Sequence, residues 1–80
     1  MNFTQYFLHT WQREDRKRIR REWIEKAINS PAHTEKQADG RFRHWYWVEQ
    51  EQKYLRIILL ADGETVHNAF FDRSFKGKEE

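Results

Sequence analysis

The chain has 80 residues, with 15 Lys or Arg against 13 Asp or Glu and a net charge of +2. This length predicts one small domain spanning residues 1–80, whose single core is only just large enough to fold. Because the chain has no cysteine and no apolar run near the roughly 20 residues of a membrane span, we expect no disulfide, no thiolate zinc site and no membrane partner. The N-terminus lacks a signal-peptide pattern, so the predicted compartment is the cytoplasm.

The N-terminal part of the chain predicts one strand and two helices. Phe3 to Leu8 is rich in aromatic residues and predicts a short strand, whereas His9 to Lys17 predicts a short helix or helical turn anchored by Trp11. A better helix follows, because apolar residues recur there at helical spacing, and Pro31 ends it. The apolar stripe of this helix consists of Ile19, Trp23, Ile24, Ala27 and Ile28.

Beyond Pro31 the side chains alternate in the manner of β-strands. The strongest strand is predicted at Arg41 to Glu49, and the best hairpin signal is the dipeptide Asp62-Gly63, which is typical of a two-residue turn. The predicted fold class is therefore α+β, with a short N-terminal strand and two helices followed by a three- to four-stranded antiparallel sheet. The other predicted segments are strands at Ala32 to Ala38, Tyr54 to Ala61 and Glu64 to Phe71, a turn at Asp39-Gly40, and a frayed tail at Ser74 to Glu80.

The register of the last hairpin follows from its turn. A two-residue turn pairs Leu59 with Val66 and Ile58 with His67, and Arg56 and His67 become diagonal neighbours. We call the side of the sheet that carries Arg56 and His67 the open face, because the opposite side is apolar and needs the helices to cover it. The predicted core side carries Phe42, His44, Tyr46, Val48, Leu55, Ile57, Leu59, Val66 and Phe70.

The preceding hairpin decides what else lies on the open face. A four-residue loop, Glu49 to Gln52, pairs Trp45 with Arg56 and places two further arginines outside the core, which is why we prefer it. A three-residue loop would move every side chain of that strand to the opposite side of the sheet. With the four-residue loop the predicted open face carries Arg41, Arg43, Trp45, Trp47, Tyr54, Arg56 and His67.

The predicted open face suits single-stranded nucleic acid. Arginines neutralise phosphates, and aromatic side chains stack on unpaired bases with roughly 1 to 3 kcal/mol per base. The same residue types also form cross-strand packing pairs and protein interfaces. A basic stretch from Arg13 to Arg21 fits phosphates, an acidic partner, or simply a solvated helix surface. The predicted RNA-binding residues are Arg13, Arg41, Arg43, Trp45, Trp47 and Tyr54.

RNA cleavage requires few protein groups, because the 2′-hydroxyl of RNA is itself the nucleophile. A proton acceptor, a proton donor and positive charge near the phosphate are sufficient. His67 beside Arg56 is the first candidate, since imidazole exchanges protons near neutral pH. His9 is the second candidate, with Arg13 following at helical spacing. The predicted catalytic residues are therefore His67, Arg56 and His9.

The remaining two histidines, His33 and His44, are expected to have structural rather than catalytic roles. His44 falls on the core side and is expected to be hydrogen-bonded there, and His33 is expected to be exposed. No pair of histidines has the spacing of metal ligands, so neither a metal nor another cofactor is predicted. Three glycines, two of them in turns, also cannot build a Gly-rich phosphate loop.

Several residues occur in an order that carries a family resemblance: Phe3-Thr4, then His9, Arg13, Ile19 and Ile24 in the pattern H-x3-R-x5-I-x4-I with Glu22 inside it, Pro31, Gly40-Arg41, Tyr54 to Ile58 and Thr65 to Arg73. In this order the chain resembles, over nearly its whole length, a family of small bacterial domains of unknown function grouped with the RelE and BrnT toxins. The resemblance implies a RelE-like two-layer fold, an antitoxin protein as partner and ribonuclease activity on messenger RNA. It carries over to His9, Arg13, Arg56 and His67. The chain departs from the family at Thr10, where members often have alanine, and it lacks the catalytic lysines of RelE-type toxins.

Three functions remain as alternatives. The first is a ribonuclease toxin whose open face an antitoxin covers, and the second is an RNA-binding protein that cuts nothing. The third is a non-catalytic interaction module, in which Trp45, Trp47 and Tyr54 form a protein interface or a homodimer interface.

Overall fold

A computed structural model of the protein describes residues 1–75 and contains two helices and one five-stranded sheet. In chain order the elements are β1 (Asn2–Phe3), α1 (Gln5–Trp11), α2 (Arg21–Asn29), β2 (His33–Lys36), β3 (Phe42–Val48), β4 (Lys53–Leu59) and β5 (Thr65–Asp72). The strand order is β1-β5-β4-β3-β2, with β1 parallel to β5 and the other neighbours antiparallel. The α+β class is confirmed, and the sheet is larger than predicted. Neither helix within residues 1–75 is long and apolar enough to span a membrane.

The first strand is shorter than predicted. Phe3 to Leu8 is not a strand throughout: only Asn2–Phe3 pairs with β5, and α1 begins two residues later. The Thr4 hydroxyl oxygen caps this helix by accepting a hydrogen bond from the Phe7 amide at 3.1 Å. Such caps satisfy an amide that has no partner inside the helix. The aromatic residues of this stretch therefore belong mostly to a helix, with Phe7 fully buried.

The end of α1 also differs from the prediction, whereas α2 is confirmed. α1 stops at Trp11, whose indole Nε1 donates a hydrogen bond to the Ile19 carbonyl at 2.9 Å. Arg13 lies beyond the helix in a series of turns that continues to Ile19, so His9 and Arg13 do not share one helix. Helical spacing would put these two side chains on one side only in a continuous helix, and that condition is not met.

The register between β3 and β4 is confirmed. Val48 pairs with Lys53, and Trp45 pairs with Arg56, as the four-residue loop requires. The loop closes through Gln52, whose φ of +55° lies in the left-handed region. On the opposite side of β3, His44 holds the predicted core-side position, with Nδ1 2.9 Å from the Ala27 carbonyl oxygen of α2.

The hairpin between β4 and β5 has a longer turn than predicted. The strands stop at Leu59 and resume at Thr65, while Gly63 adopts a φ of +71°. The Asp62 carboxylate accepts hydrogen bonds from the Thr65 hydroxyl at 2.6 Å and from the Glu64 and Thr65 amides at 2.9 Å each. These bonds hold the pKa of Asp62 below its ordinary value, and the bond from the Thr65 hydroxyl has the largest effect. The turn is therefore stabilised by its own aspartate.

A register shift in β5 corrects the predicted pairing. Leu59 pairs with Val66 as expected, but Ile58 then pairs with Asn68, so His67 is an extra residue between them. Such a bulge inserts one residue into one strand and leaves its partner continuous. The predicted pair of Ile58 with His67 is therefore wrong.

After the bulge, each side chain of β5 lies on the opposite side of the sheet from the predicted one. Phe70, predicted in the core, lies opposite Arg56, while Ala69 pairs with Ile57 and is fully buried. Phe71 packs against the core in place of Phe70. The buried core joins both helices to the helix side of the sheet and consists of Phe7, Ile19, Trp23, Ile24, Ala27, Val48, Leu55, Ile57, Leu59, Val66 and Ala69.

The first residues of the predicted tail are ordered by contacts. The Asp72 carboxylate accepts hydrogen bonds from the Ser74 amide at 3.0 Å and the Ser74 hydroxyl at 2.7 Å. Phe75 then packs on Trp45, with ring centroids 4.5 Å apart. Ser74 and Phe75 therefore make defined contacts, and the fraying of the tail stays a prediction. Residues 76–80 lie outside the described residues.

Candidate nucleic-acid interface on the open face

A shallow cavity of about 350 Å³ lies on the open face and is rich in arginine. We call it the arginine basin, and it is lined by Tyr6, Gln37, Arg41, Arg43, Arg56, Ile58, His67, Asn68 and Phe70. Four of these residues were predicted for the open face, namely Arg41, Arg43, Arg56 and His67. Three other shallow cavities have larger volumes. One is lined by the β2–β3 turn, one is an apolar groove at Leu8 and Trp11, and one lies beside Trp47 and Tyr54. The basin is preferred because it collects positive charge from separate strands.

Arg56 is held between two aromatic rings in the middle of the sheet. Its guanidinium lies 4.6 Å from the centroid of the Phe70 ring and 6.0 Å from that of the Trp45 ring. Nη1 is 3.3 Å from Asp72 Oδ2, and Nε is buried without a hydrogen-bond partner within residues 1–75. Aromatic faces attract cations, so these contacts fix where the charge lies.

Asp72 is the buried anion below Arg56. Its Oδ2 accepts a hydrogen bond from Trp45 Nε1 at 3.1 Å, and its Oδ1 accepts those of Ser74. Burial raises the pKa of the Asp72 carboxyl, but the hydrogen bonds from Ser74 and Trp45 and the charge of Arg56 outweigh burial and leave the pKa below its ordinary value. Asp72 therefore stays ionised and links Arg56 to Trp45.

Arg16 reaches the same region from the turns after α1. Its Nη1 donates to Asn68 Oδ1 at 3.0 Å and to the Ala69 carbonyl at 3.4 Å, and its guanidinium lies 5.4 Å from the Phe70 ring centroid. Phe70 therefore contacts two guanidinium groups, those of Arg16 and Arg56. Sequence reasoning did not single out Arg16, because it is one of six basic residues in a short stretch and its partners are 52 and 53 positions away.

His67 occupies the bulge of β5 beside the N-terminal segment. Its Nδ1 is 3.2 Å from the Thr4 hydroxyl oxygen, and its ring stacks on Tyr6 with centroids 4.9 Å apart. Within residues 1–75 the Nε2 atom has no hydrogen bond. Tyr6 is 54% exposed, so the stacked pair forms an accessible edge of the basin. The ring is thus oriented by one nitrogen while the other is available for proton exchange.

Carboxylates at the rim partly balance the arginines of the basin. The closest such pair joins Arg43 Nη1 to Glu35 Oε1 at 3.1 Å, and the side chains of these rim acids are all more than half exposed. Exposed ion pairs contribute only about 0 to 1 kcal/mol, so a phosphate can replace their acidic partner at small cost. The rim pairs are Arg43 with Glu35, Arg41 with Asp39 and Arg16 with Asp15.

Two residues that were predicted for the site lie outside the basin. His9 is exposed on α1, and its ring makes no hydrogen bond within the described part of the chain. Arg13 is also exposed and lies 3.8 Å from Asp15. The structure does not bring either residue together with His67, so the two predicted catalytic histidines do not form one cluster.

The predicted aromatic residues form a separate cluster at the other end of the open face. Trp45 is only 4% exposed because the Phe75 ring covers it, so the expectation of a free indole surface is wrong. His33, expected to be exposed, is half-buried against these two rings. Tyr54 places its ring edge-on to Phe75 at 4.9 Å, while Trp47 stays 37% exposed at the margin. Phe75 could not be assigned to this cluster from the sequence, because it follows the last strand.

The chemistry available on the open face is that of charge and proton transfer. Within residues 1–75 no three His, Asp or Glu side chains come together in a way that would hold a metal ion. Comparison of the chain with protein-family models, with curated proteins and with solved structures finds no match. The arginine basin is therefore the feature of the molecule that points to a function.

Proposed function

We propose that the protein binds single-stranded RNA in the arginine basin and cleaves it there. The observation that carries this proposal is the convergence of Arg41, Arg43 and Arg56 beside the His67 ring, with Arg16 held next to them at Asn68 and Phe70. Arg16 comes from the turns after α1 and Arg41 immediately precedes β3, while Arg43 lies in β3 and Arg56 in β4. Three separate parts of the chain therefore bring guanidinium groups to one side of the sheet.

The charge distribution supports a phosphate backbone as the ligand. The net charge is only +2, so attraction depends on local charge rather than on the field of the whole molecule. Within residues 1–75 Arg41 and Arg43 pair with exposed acids, whereas Arg56 pairs with the buried carboxylate of Asp72. Phosphates bound here would release the rim acids to water and keep the buried pair intact.

Cleavage in the basin would use the RNA's own nucleophile. His67 Nε2 accepts the proton of the 2′-hydroxyl, the 2′-oxygen forms a bond to phosphorus, and the bond from phosphorus to the 5′-oxygen breaks. The leaving 5′-oxygen takes a proton from water, and His67 then returns its proton to the resulting hydroxide. The guanidinium groups of Arg56 and Arg43 stabilise the charge on the phosphorane oxygens. The products are a 2′,3′-cyclic phosphate and a 5′-hydroxyl.

The resemblance to the RelE and BrnT group adds a biological setting to this proposal. In that setting the protein is a cytoplasmic toxin that acts on messenger RNA, and an antitoxin protein covers the open face. An acidic segment in the antitoxin would compete with RNA for the same arginines. The chemical proposal does not depend on this setting, because binding and cleavage are measured on the purified protein.

The test uses a single-stranded RNA oligomer and the same sequence with 2′-deoxy sugars. We expect both to bind and only the RNA to be cut, because the deoxy strand lacks the nucleophile. Arg56→Ala should weaken the binding of both oligomers. Lys26→Ala removes one charge from an exposed position of α2, outside the basin, and serves as the matched control. If neither oligomer binds, or if Lys26→Ala weakens binding as much as Arg56→Ala, the proposal is wrong.

Exposed aromatic and aliphatic side chains favour a second candidate function, a non-catalytic interaction module. Trp47 and Leu8 are each 37% exposed, and Leu8 lies beside the apolar groove at Trp11. Large apolar groups of this kind are enriched at protein interfaces. Under this alternative the protein is a dimer in solution that Trp47→Ser or Leu8→Ser dissociates. A monomer at high concentration in sedimentation measurements would remove the homodimer form of this alternative.

A further inference from the structure

The ring of Phe75 fills an aromatic slot beside the arginine basin. Trp45 forms the floor of this slot, with its ring plane 13° from that of Phe75 and the centroids 4.5 Å apart. Tyr54 forms one wall, edge-on at 4.9 Å, and His33 forms another at 5.5 Å. A flat ring between a parallel floor and polar aromatic walls occupies the kind of place in which proteins stack an unpaired base.

The slot and the basin are adjacent. Trp45 and Arg56 are direct cross-strand partners, and the guanidinium lies 6.0 Å from the indole ring centroid. A phosphate on Arg56 would therefore leave a base of the same strand within reach of the Trp45 ring. Asp72 holds both groups, because it accepts a hydrogen bond from the indole Nε1 and pairs with the guanidinium.

Phe75 is held in the slot by ring contacts, which the flat ring of a base could replace. Its ring has three aromatic neighbours, but within residues 1–75 no hydrogen bond of Phe75 itself is found. It follows β5 by three residues, after the exposed Ser74. The floor has a contact besides Phe75, since the Trp45 indole Nε1 donates a hydrogen bond to Asp72.

We propose that the aromatic slot is a binding site for one unpaired base of RNA, and that Phe75 is a built-in occupant which the base displaces. This inference rests on the proposed RNA binding and adds a base-stacking site to the phosphate site. Stacking accepts any base, so the slot favours bases over bare sugar-phosphate without reading their sequence. The occupied slot lowers affinity for RNA by the contacts that Phe75 must give up.

The first test compares Phe75→Ala with wild type on two oligomers of equal length, oligouridylate and an abasic ribose-phosphate strand. We expect the variant to bind oligouridylate about 3- to 10-fold more tightly, in line with the energy of one aromatic pair, and to bind the abasic strand unchanged. Leu8→Ala is the matched control, because it removes an exposed apolar side chain outside the slot. Equal or weaker binding of oligouridylate by Phe75→Ala would overturn the inference.

The second test needs no substitution and so does not depend on the stability of the variant. Wild-type protein with isotope-labelled Phe rings is titrated with each oligomer, and the Phe75 ring resonances are followed by NMR. We expect oligouridylate to shift them and the abasic strand to leave them in place. If both strands bind and the resonances stay fixed, the slot inference alone is wrong. If neither strand binds the wild type, the RNA-binding proposal is wrong and the slot inference with it.

Discussion

The buried carboxylate of Asp72 lies 3.3 Å from Nη1 of Arg56, on the neighbouring strand. The anion is almost inaccessible, whereas 27% of the Arg56 side chain remains exposed. The guanidinium of Arg56 is therefore fixed by a buried anion on the same side of the sheet while part of it stays accessible. This arrangement predicts measurable consequences for stability and for ligand binding.

Replacing Asp72 with Asn should lower the free energy of unfolding by about 1 to 3 kcal/mol at neutral pH. The reason is that Arg56, the Trp45 indole, and the amide and hydroxyl of Ser74 would lose a buried carboxylate as their acceptor. Urea unfolding followed by tryptophan fluorescence measures the change. Asp39→Asn is the control, since its carboxylate is exposed and 3.9 Å from Arg41, and we expect a change within about 0.5 kcal/mol. Equal effects of the two substitutions would contradict the structural role of Asp72.

The same pair predicts how stability depends on pH. The pKa of Asp72 is below 3.8 in the folded protein, because its hydrogen bonds and Arg56 outweigh the effect of burial, so the folded state binds this proton more weakly than the unfolded state. The stabilisation is therefore complete well above pH 3.8 and is lost as the pH falls through that value to the folded pKa. The difference in stability between wild type and Asp72→Asn should narrow in acid. A difference that is constant down to the acid limit would be inconsistent with this assignment.

Arg43→Ala should reduce the dependence of RNA affinity on salt. Each phosphate contact with a single strand contributes about 0.7 to the slope of log affinity against log salt, so the loss of one contact should lower the slope by about that amount. Fluorescence anisotropy over a range of KCl concentrations gives the slope. Arg18→Ala removes an exposed arginine paired with Glu51, outside the basin, and should leave the slope unchanged. The same slope for wild type and Arg43→Ala would place the phosphates elsewhere.

His67→Gln should separate binding from cleavage. Glutamine keeps a polar group near the Thr4 hydroxyl but cannot accept and return a proton, so the single-turnover cleavage rate should fall about 10²- to 10⁴-fold. The dissociation constant for the 2′-deoxy oligomer should change little. His9→Gln is the control histidine, because it is exposed on α1 and lies outside both the basin and the aromatic slot. A normal cleavage rate in His67→Gln would exclude His67 as the proton acceptor.

Expression in bacteria tests the toxin form of the proposal. Wild type should slow growth and shorten messenger RNA, while Arg56→Ala and His67→Gln should restore both. Lys26→Ala should behave as wild type, and the amount of soluble protein should be equal in all strains. Normal growth with folded wild-type protein would argue against a toxin and leave the purified-protein tests to judge RNA binding.

The open face could be predicted in part because β3 and β4 alternate regularly and their loop length fixes one register. The register of β5 could not be predicted, because Ala69, Phe70 and Phe71 form an apolar run that suits either side of the sheet. The bulge at His67 decides between the two registers, and nothing in the local pattern marks it. Because of the bulge, Phe70 lies on the open face rather than in the core. Arg56 and His67 are not the diagonal neighbours that were predicted, but both line the basin.

Contacts between distant segments were the other part that sequence reasoning missed. Arg16 is one cation among several in its stretch, and only the folded chain shows that it alone reaches Asn68. Tyr6 was assigned to a strand, so its stacking on His67 from a helix was not foreseen. Patterns along the chain predict which residues share an element, whereas the basin is built from different elements.

The parallel pairing of β1 with β5 has a consequence for the timing of synthesis. The contact of Thr4 with His67 joins residues 63 positions apart, and that of Arg16 with Asn68 spans 52 positions. Contacts across such long loops form only when both ends of the chain are present, and they form late. A nascent chain that has not yet released β5 from the ribosome therefore has no assembled basin. Under the proposed function, the chain would therefore cut no RNA before β5 has left the ribosome.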